Sequence, residues 1–155
     1  MAFRYAGFWV RLIATLIDGL GLTLASWVLQ LALVGAYYWM GRLVGSEPAE
    51  LSGFVLQVIE AVLYALISVP YFIWAHYKYQ TTFGKVAVKV YVVREDNGLG
   101  ITLKQSVIRC LAYLLSYLPL GTGYLMAAFN PKKQALHDLI AKTVCVRQSV
   151  ARSGT

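Results

Sequence analysis

A chain of 155 residues has room for one domain, but its 59% apolar residues and positive mean hydropathy exceed what a soluble globular protein normally carries. We therefore expect the lipid bilayer to be its main apolar environment. The formal net charge of +7 does not indicate nucleic acid, because the basic residues lie in short segments beside apolar runs and form no readable recognition module.

The first predicted spanning helix runs from about Leu12 to Met40 and carries two charges near its start. It follows residues 1–10, an aromatic segment typical of the headgroup region, and it is too long for a signal-peptide core, so we expect a retained anchor. Arg11 and Asp18 are two helical turns apart, with Thr15 between them on the same face. Because a charge inside an apolar run is costly, this face predicts either a site or a paired structural lock.

A polar loop at residues 41–51 leads to a second predicted span, from about Leu51 to Tyr77. Glu60 lies well inside this span. It predicts either a second station for a cation or proton, or a carboxyl group hydrogen-bonded in a helix interface. Spacings of three and four residues place it on one polar face, with Gln57, Tyr64, Ser68 and Tyr71.

The basic segment at residues 78–105 contains a β-branched run, Val86–Val93, that predicts a strand followed by an Asn-Gly turn. Thr102 and Gln105 have the spacing of a capping box, so a helix should begin near Leu103.

A third apolar segment, residues 106–129, is interrupted by the turn-forming sequence LPLGTG at 118–123. A single third crossing would put the basic tail and the basic 78–105 loop on opposite sides, against the positive-inside bias. We therefore expect a re-entrant hairpin with both termini cytoplasmic, and we keep a third span as the alternative. Irregular backbone at membrane depth has to be covered by protein or face a wet cavity.

Asn130 and Pro131 predict the start of a helix that carries His137 and Asp138. A strand is predicted at Thr143–Arg147, where it could pair with the earlier β-branched run.

These elements predict an all-α polytopic membrane protein with a small cytoplasmic β element. We expect one membrane domain at residues 1–147 and a loose tail at residues 148–155.

The third segment also carries a polar stripe, which includes Arg109, and three helices that are each polar on one side should face one another. By depth, Arg11, Asp18, Arg109 and Asp138 belong near the cytoplasmic end, where two arginines and two aspartates can neutralise each other. This cluster predicts either an ion-binding seam or a charge clamp that holds the fold.

Other chemistry is not indicated. His137 and Asp138 are adjacent on a helix and point about 100° apart, which disfavours a shared metal ion. The sequence TTFGK at 81–85 lacks the spacing of a P-loop, and no serine or cysteine has a nucleophile context. Cys110 and Cys145 are interpreted as small apolar residues. We expect no enzyme, no cofactor and no metal.

Three blocks, which cover nearly the whole chain, resemble the RDD family of bacterial membrane proteins. The signature residues match Arg11, Asp18 and Asp138, and Gly84 with Lys85 matches a T-x-G-K block, although Phe83 stands where leucine is expected. The blocks are YAGFWVRLIATLID at 5–18, TTFGKVAVKVYVVREDNG at 81–98 and KKQALHDLIAKTVCV at 132–146.

The resemblance implies a bacterial cytoplasmic (inner) membrane protein connected with cation/proton antiport or located beside other membrane machinery. We expect a transport-related protein that exchanges a monovalent cation and a proton through a polar seam. Asp18 and Asp138 would be its titratable or ion-binding carboxylates and Arg11 and Arg109 their counter-charges. Secondary candidates are Glu60, His137, Thr15 and Lys85.

Two spans and a hairpin give few walls for an ion pathway, so we expect a homo-oligomer or another membrane protein as partner, in addition to membrane lipid. Small residues would allow close helix contact, namely Ala32, Gly35 and Ala36. The alternative is a non-transporting membrane scaffold or accessory subunit, in which the same charges lock the fold.

Overall fold

The structure is a computed structural model that describes residues 4–46, 48–117 and 122–147, with the side chains at 114–117, 122 and 124 not included. The predicted loose tail at 148–155 lies outside the described residues, and so do residues 118–121 of the predicted break. In chain order the elements are α1 (Phe8–Val44), α2 (Gly53–Tyr79), α3 (Phe83–Ala87), β1 (Val90–Arg94), α4 (Leu103–Tyr117), α5 (Thr122–Phe129), α6 (Leu136–Ala141) and β2 (Thr143–Arg147).

The chain forms two compact units, which we call unit 1 and unit 2. Unit 1 consists of Met1–Asp18 and Pro70–Thr155, and unit 2 consists of Gly19–Val69. The single membrane domain expected at residues 1–147 remains a prediction.

The helix predicted at residues 12–40 is confirmed and is longer than expected, because α1 spans 37 residues. Its end is built as a Schellman motif. Gly45 takes a φ of 74° and donates to the Arg42 carbonyl, while the Ser46 amide donates to the Gly41 carbonyl at 3.0 Å. Glycine suits this position because side chains disfavour the left-handed region.

The helix predicted as a second span is confirmed as α2, which has 27 residues and contains Pro70. Ser52 caps its first turn by accepting from the Val55 amide at 3.3 Å. The helix is followed by Gln80, whose φ of 58° leaves the helical region.

The strand predicted over Val86–Val93 is wrong in its first half. The short helix α3 occupies Phe83–Ala87, and β1 begins only at Val90. Thr82 caps α3 by accepting from the Lys85 amide, and Lys89 reverses the chain with a φ of 57°. Local capping therefore overrides the β propensity of the valines.

The predicted strand Thr143–Arg147 is confirmed as β2, which pairs antiparallel with β1 in the register Val90↔Arg147 to Arg94↔Thr143. The sequence did not predict that a third segment would pair with this sheet. Tyr5 bridges to Val146, and the Ala6 amide donates to the Cys145 carbonyl at 2.8 Å. The core of unit 1 lies against this sheet and includes Ala6, Val90, Val92, Ile101 and Cys145.

The capping box at the start of α4 is confirmed. The Gln105 amide donates to the Thr102 hydroxyl at 3.2 Å, and the Thr102 amide donates to the Gln105 side chain at 3.0 Å. The predicted helix start at Asn130 is wrong, because α6 begins at Leu136. The Asn130 side chain accepts from the Lys132 amide at 2.9 Å, so it forms a turn instead of a helix cap.

Unit 2 exposes its apolar side chains. The described residues of 19–69 comprise the later part of α1, the loop after it and the first part of α2. Many of their large apolar side chains are exposed, as expected of a surface solvated by lipid acyl chains. Examples are Leu20, Leu24, Trp27, Val28, Leu31, Val58, Val62 and Leu66.

Candidate functional site

Three charged side chains meet inside unit 1 and form what we call the guanidinium clamp: Arg11, Asp138 and Arg109. Arg11 Nη1 pairs with Asp138 Oδ2, and Arg109 Nη2 lies 2.6 Å from Asp138 Oδ1. Asp138 is fully buried and Arg109 is 1% exposed. A carboxylate between two guanidinium groups has strong charge-assisted contacts, while both cations lose most of their hydration.

The clamp joins elements that are distant in sequence. Arg11 Nε donates to the Ala6 carbonyl at 3.0 Å, which fixes the extended segment that precedes α1. Arg109 Nη1 donates to the Thr143 hydroxyl at 3.1 Å, and Nη2 donates to Cys145 Sγ at 3.5 Å. Cys145 therefore makes a polar contact as well as packing in the apolar core. Through Asp138 and Arg109, the clamp ties α1, α4, α6 and β2 together.

The electrostatics of the clamp favour a permanently ionised Asp138. Burial alone would raise the pKa of Asp138, but Arg109 and Arg11 outweigh it and hold that pKa well below its ordinary range. The neighbouring His137 is 4% exposed, and burial lowers its pKa to about 3, so its imidazole is neutral at physiological pH.

Asp18 occupies a second centre in unit 1, which we call the Asp18 cradle: Asp18, Tyr71, Thr82 and Gly84. The Tyr71 hydroxyl donates to Oδ1 at 2.9 Å, the Gly84 amide donates to Oδ1 at 2.8 Å, and the Thr82 hydroxyl donates to Oδ2. Asp18 is 4% exposed. Among the described residues, no ion pair involves this carboxylate.

The cradle depends on the close approach of α3 to α1. A Cβ atom at Gly84 would collide with the Ala14 carbonyl group and lie 3.0 Å from Asp18 Cγ. Glycine is required here for space, because the backbone itself contacts the carboxylate. The Tyr71 hydroxyl also accepts from the Phe83 amide at 2.8 Å, which fixes the start of α3.

Lys85 and His76 form a buried polar pair that sequence reasoning did not predict. Lys85 Nζ lies 2.6 Å from His76 Nε2, and the two residues are 6% and 1% exposed. The ammonium group can only donate, so the ring nitrogen facing it accepts and the imidazole is neutral in this arrangement.

Unit 2 contains its own polar pair. The Ser26 hydroxyl lies 2.6 Å from Glu60 Oε1, and Gln30 Nε2 donates to the Leu56 carbonyl at 2.8 Å. Glu60 Oε2 is buried without a hydrogen-bond partner among the described residues. The carboxyl group lines a groove of about 580 Å³ with Gln30, Gln57 and Tyr64. Hydrogen bonding across a helix interface, one of the two predicted roles of Glu60, agrees with the Ser26 contact.

The four main predicted residues are all buried in unit 1, but they do not form one charge-balanced cluster. Both arginines pair with Asp138, whereas neutral groups hold Asp18. The Thr15 hydroxyl is used locally, donating to the Arg11 carbonyl at 3.0 Å. Within the described ranges, no group of three histidine, cysteine or acidic side chains is arranged to hold a metal ion.

The fold and these two centres define a class of protein. Two helices are long and apolar enough to cross a membrane, and unit 1 buries acidic and basic side chains that pair or hydrogen-bond. This is a small membrane protein with a polar interior. The chain belongs to the RDD family, whose model matches residues 5–142.

The names of the similar proteins say little about their function. An uncharacterized protein of Bacillus subtilis, YxaI, is 31% identical over 89% of this chain and 94% of its own length. The uncharacterized membrane protein YteJ of the same organism is 29% identical over 96% of this chain and 84% of its own. A proline-rich antigen homolog of Mycobacterium tuberculosis is 30% identical over 70% of this chain, but over only 45% of its own length. No solved structure matches.

Proposed function

We propose that this RDD-family membrane protein exchanges a monovalent cation for a proton, and that Asp18 is the exchanging carboxylate while Asp138 is structural. One observation carries the proposal: Asp18 is buried and held by two hydroxyl groups and an amide, with no guanidinium among its partners in the described chain. A buried carboxylate without a cationic partner is the group best placed to exchange a proton for a cation.

The partners of Asp18 suit both protonation forms. A threonine hydroxyl can donate to a carboxylate or accept from a carboxylic acid, so the Thr82 hydrogen bond can reverse when Asp18 takes up a proton. Carboxylate and hydroxyl oxygens are also the ligands that hard cations prefer. Guanidinium groups have no acceptor, so protonation of Asp138 would break both of its ion pairs.

The topology proposed with this function has both termini in the cytoplasm and residues 103–129 returning to the side on which they start. The pairing of β1 with β2 supports it, because strands that pair outside the bilayer must lie on the same side. Helix lengths agree: α4 has 15 residues and α5 has 8, about 22 Å and 12 Å, against an apolar core of about 30 Å. We place the protein in the bacterial cytoplasmic membrane.

Cysteine accessibility tests this topology in a variant without native cysteines. Exposed Lys104→Cys and Lys132→Cys should be labelled from the cytoplasmic side, and Ser46→Cys from the opposite side. Labelling of Lys104→Cys and Lys132→Cys from opposite sides would instead support a third span.

We further propose that transport requires an oligomer. The exposed positions Ala32, Gly35 and Ala36 would allow close contact between helices of two chains. The protein is proposed to act without enzymatic chemistry or a cofactor, as one membrane domain over residues 1–147.

Flux through proteoliposomes tests the transport proposal. Vesicles with an imposed pH gradient are diluted into Na⁺, K⁺ or Li⁺, and a pH-sensitive dye reports its dissipation. We expect wild type to dissipate the gradient and Asp18→Asn to fail at an equal amount of folded protein. Asp96→Asn makes the same chemical change at an exposed turn and should match wild type.

Two results would overturn the proposal: no flux in wild type, or full flux in folded Asp18→Asn. If Asp18→Asn does not fold, Thr82→Val retains the carboxylate but removes the reversible hydroxyl. It should slow exchange while the protein remains monodisperse.

The guanidinium clamp favours a second candidate, a non-transporting scaffold or accessory subunit. A triad that ties four elements of unit 1 together gives a rigid body suited to docking another membrane protein. Purification in mild detergent should then recover a partner in fixed stoichiometry, with wild-type proteoliposomes inactive.

A further inference from the structure

Unit 1 contains a cavity of about 410 Å³, a volume within the range of about 300–1,000 Å³ that is typical of small-molecule sites. Three cationic side chains contribute to its wall: Arg11, Lys85 and Arg109. Their exposed fractions are 9%, 6% and 1%, so the surrounding protein rather than bulk water determines their electrostatic environment.

Among the described residues, the charge at this wall is not balanced. Asp138 pairs with both arginines, but one carboxylate faces three cations, and Lys85 contacts a neutral imidazole. Each arginine also keeps a buried N–H without a hydrogen-bond partner among the described residues, at Nη2 of Arg11 and Nε of Arg109. Buried, unbalanced cations are costly, so an anion entering the cavity would lower their free energy.

Apart from Thr15, Tyr113 and His137, the rest of the wall is apolar, and it reaches the outer surface of the helices. Phe8 and Leu12 are half-buried, whereas Leu16 and Leu125 are exposed. Leu16 lies on α1, which is long enough to span a membrane. Acyl chains would therefore cover this side of the cavity, and a lipid headgroup could enter it from the bilayer.

We propose that this cavity binds a phosphate oxyanion, supplied by the headgroup of an anionic membrane lipid. Guanidinium groups fit phosphate oxygens through charge-assisted hydrogen bonds, and the Lys85 ammonium adds a point charge. The apolar wall accommodates the first carbons of the lipid chains. This site is separate from the Asp18 cradle and does not depend on transport.

Lipid binding is measured on the full chain in detergent, by native mass spectrometry and thermal melting, with phosphatidylglycerol, phosphatidylcholine or inorganic phosphate added. We expect phosphatidylglycerol to bind about tenfold more tightly than phosphatidylcholine, the effect of about one charge-assisted hydrogen bond. Lys85→Gln should remove most of this preference. Lys104→Gln removes the same charge at an exposed position and should not.

Leu12→Trp provides a test that leaves every charge in place, because the larger ring should narrow the cavity and obstruct entry of the headgroup. Competition by inorganic phosphate would support the oxyanion site and show that free phosphate also enters it. Phosphatidylglycerol binding without such competition would support the lipid as the source. The proposal is overturned if neither probe binds wild type, or if binding survives unchanged in both Lys85→Gln and Leu12→Trp.

Discussion

Unit 1 contains two buried aspartates in opposite electrostatic settings. Asp138 lies between two guanidinium groups, whereas Asp18 accepts from Tyr71, Thr82 and Gly84, which are all neutral donors. Donors without acceptor capacity fix Asp138 in one protonation state, while hydroxyl groups can serve Asp18 in two. The same side-chain type can therefore hold the fold at one position and exchange protons at the other.

The largest effect should come from breaking the clamp. Asp138→Asn leaves two buried guanidinium groups without a counter-charge, and we expect a loss of about 3–5 kcal/mol in the free energy of unfolding. Thermal melting in detergent would measure it, with Asp96→Asn as the control.

An apolar replacement of the whole clamp sharpens this prediction. Arg11→Met, Asp138→Leu and Arg109→Met together should cost less than Asp138→Asn alone, because no buried charge is left unpaired. A triple variant less stable than Asp138→Asn would contradict a purely electrostatic role.

A somewhat smaller loss is expected from Gly84→Ala in the cradle. The added methyl group meets the Ala14 backbone, which cannot move aside as a flexible side chain would, and we expect about 1–3 kcal/mol of destabilisation. Gly53→Ala, where a Cβ meets nothing within 4 Å, is the matched control. Equal melting temperatures for the two variants would show that the close approach of α3 to α1 is unimportant.

Removing one cradle hydroxyl should cost about 1–2 kcal/mol. Tyr71→Phe deletes a donor to Asp18 and the acceptor for the Phe83 amide, and it leaves both groups underbonded. The variant should remain folded but exchange protons more slowly. Tyr77→Phe, at an exposed position of the same helix, should alter neither property.

The smallest expected effect is a loss of stability at acid pH caused by His137, which lies beside the clamp. The folded-state pKa of His137 is lowered to about 3, so the unfolded chain binds an extra proton between about pH 6.5 and pH 3. Stability is therefore lost as the pH falls through this window, by about 1 kcal/mol between pH 7 and pH 5.5. In His137→Gln this contribution to the pH dependence of the unfolding free energy should disappear. An unchanged pH dependence would contradict a buried neutral histidine.

Asp138 titrates at a lower pH than His137. Because its folded-state pKa is depressed, its contribution is present above the unfolded pKa of about 3.9 and is lost only as the pH falls below that value. The two residues can thus be separated by pH.

The sequence was sufficient to predict the two long helices, the Thr102–Gln105 capping box and the strand at Thr143–Arg147, because periodicity and caps are local signals. It failed where tertiary contacts decide the structure. Val86–Val93 has strong β propensity, but in its first half the Thr82 cap and the contact of Gly84 with Asp18 stabilise the helix Phe83–Ala87 instead.

For the site, the sequence identified the buried charges but not their pairing. Spacing put Arg11 and Asp18 on one face, yet it carries no information on which of them Asp138 meets across the fold. His76 had no local signal, since its partner Lys85 lies nine residues away in a different helix. Tyr71 and Thr82 were visible as a polar-stripe residue and as part of TTFGK, and only the fold joins them to Asp18.

The division between an exchanging Asp18 and a fixed Asp138 is tested most directly by infrared difference spectroscopy on the reconstituted protein. Adding Na⁺, K⁺ or Li⁺ at constant pH should remove a protonated-carboxyl C=O band as the cation displaces a proton. We predict that this band is absent in Asp18→Asn and present in Glu60→Gln. A cation-induced band that survives in Asp18→Asn, or no band in wild type, would contradict the assignment.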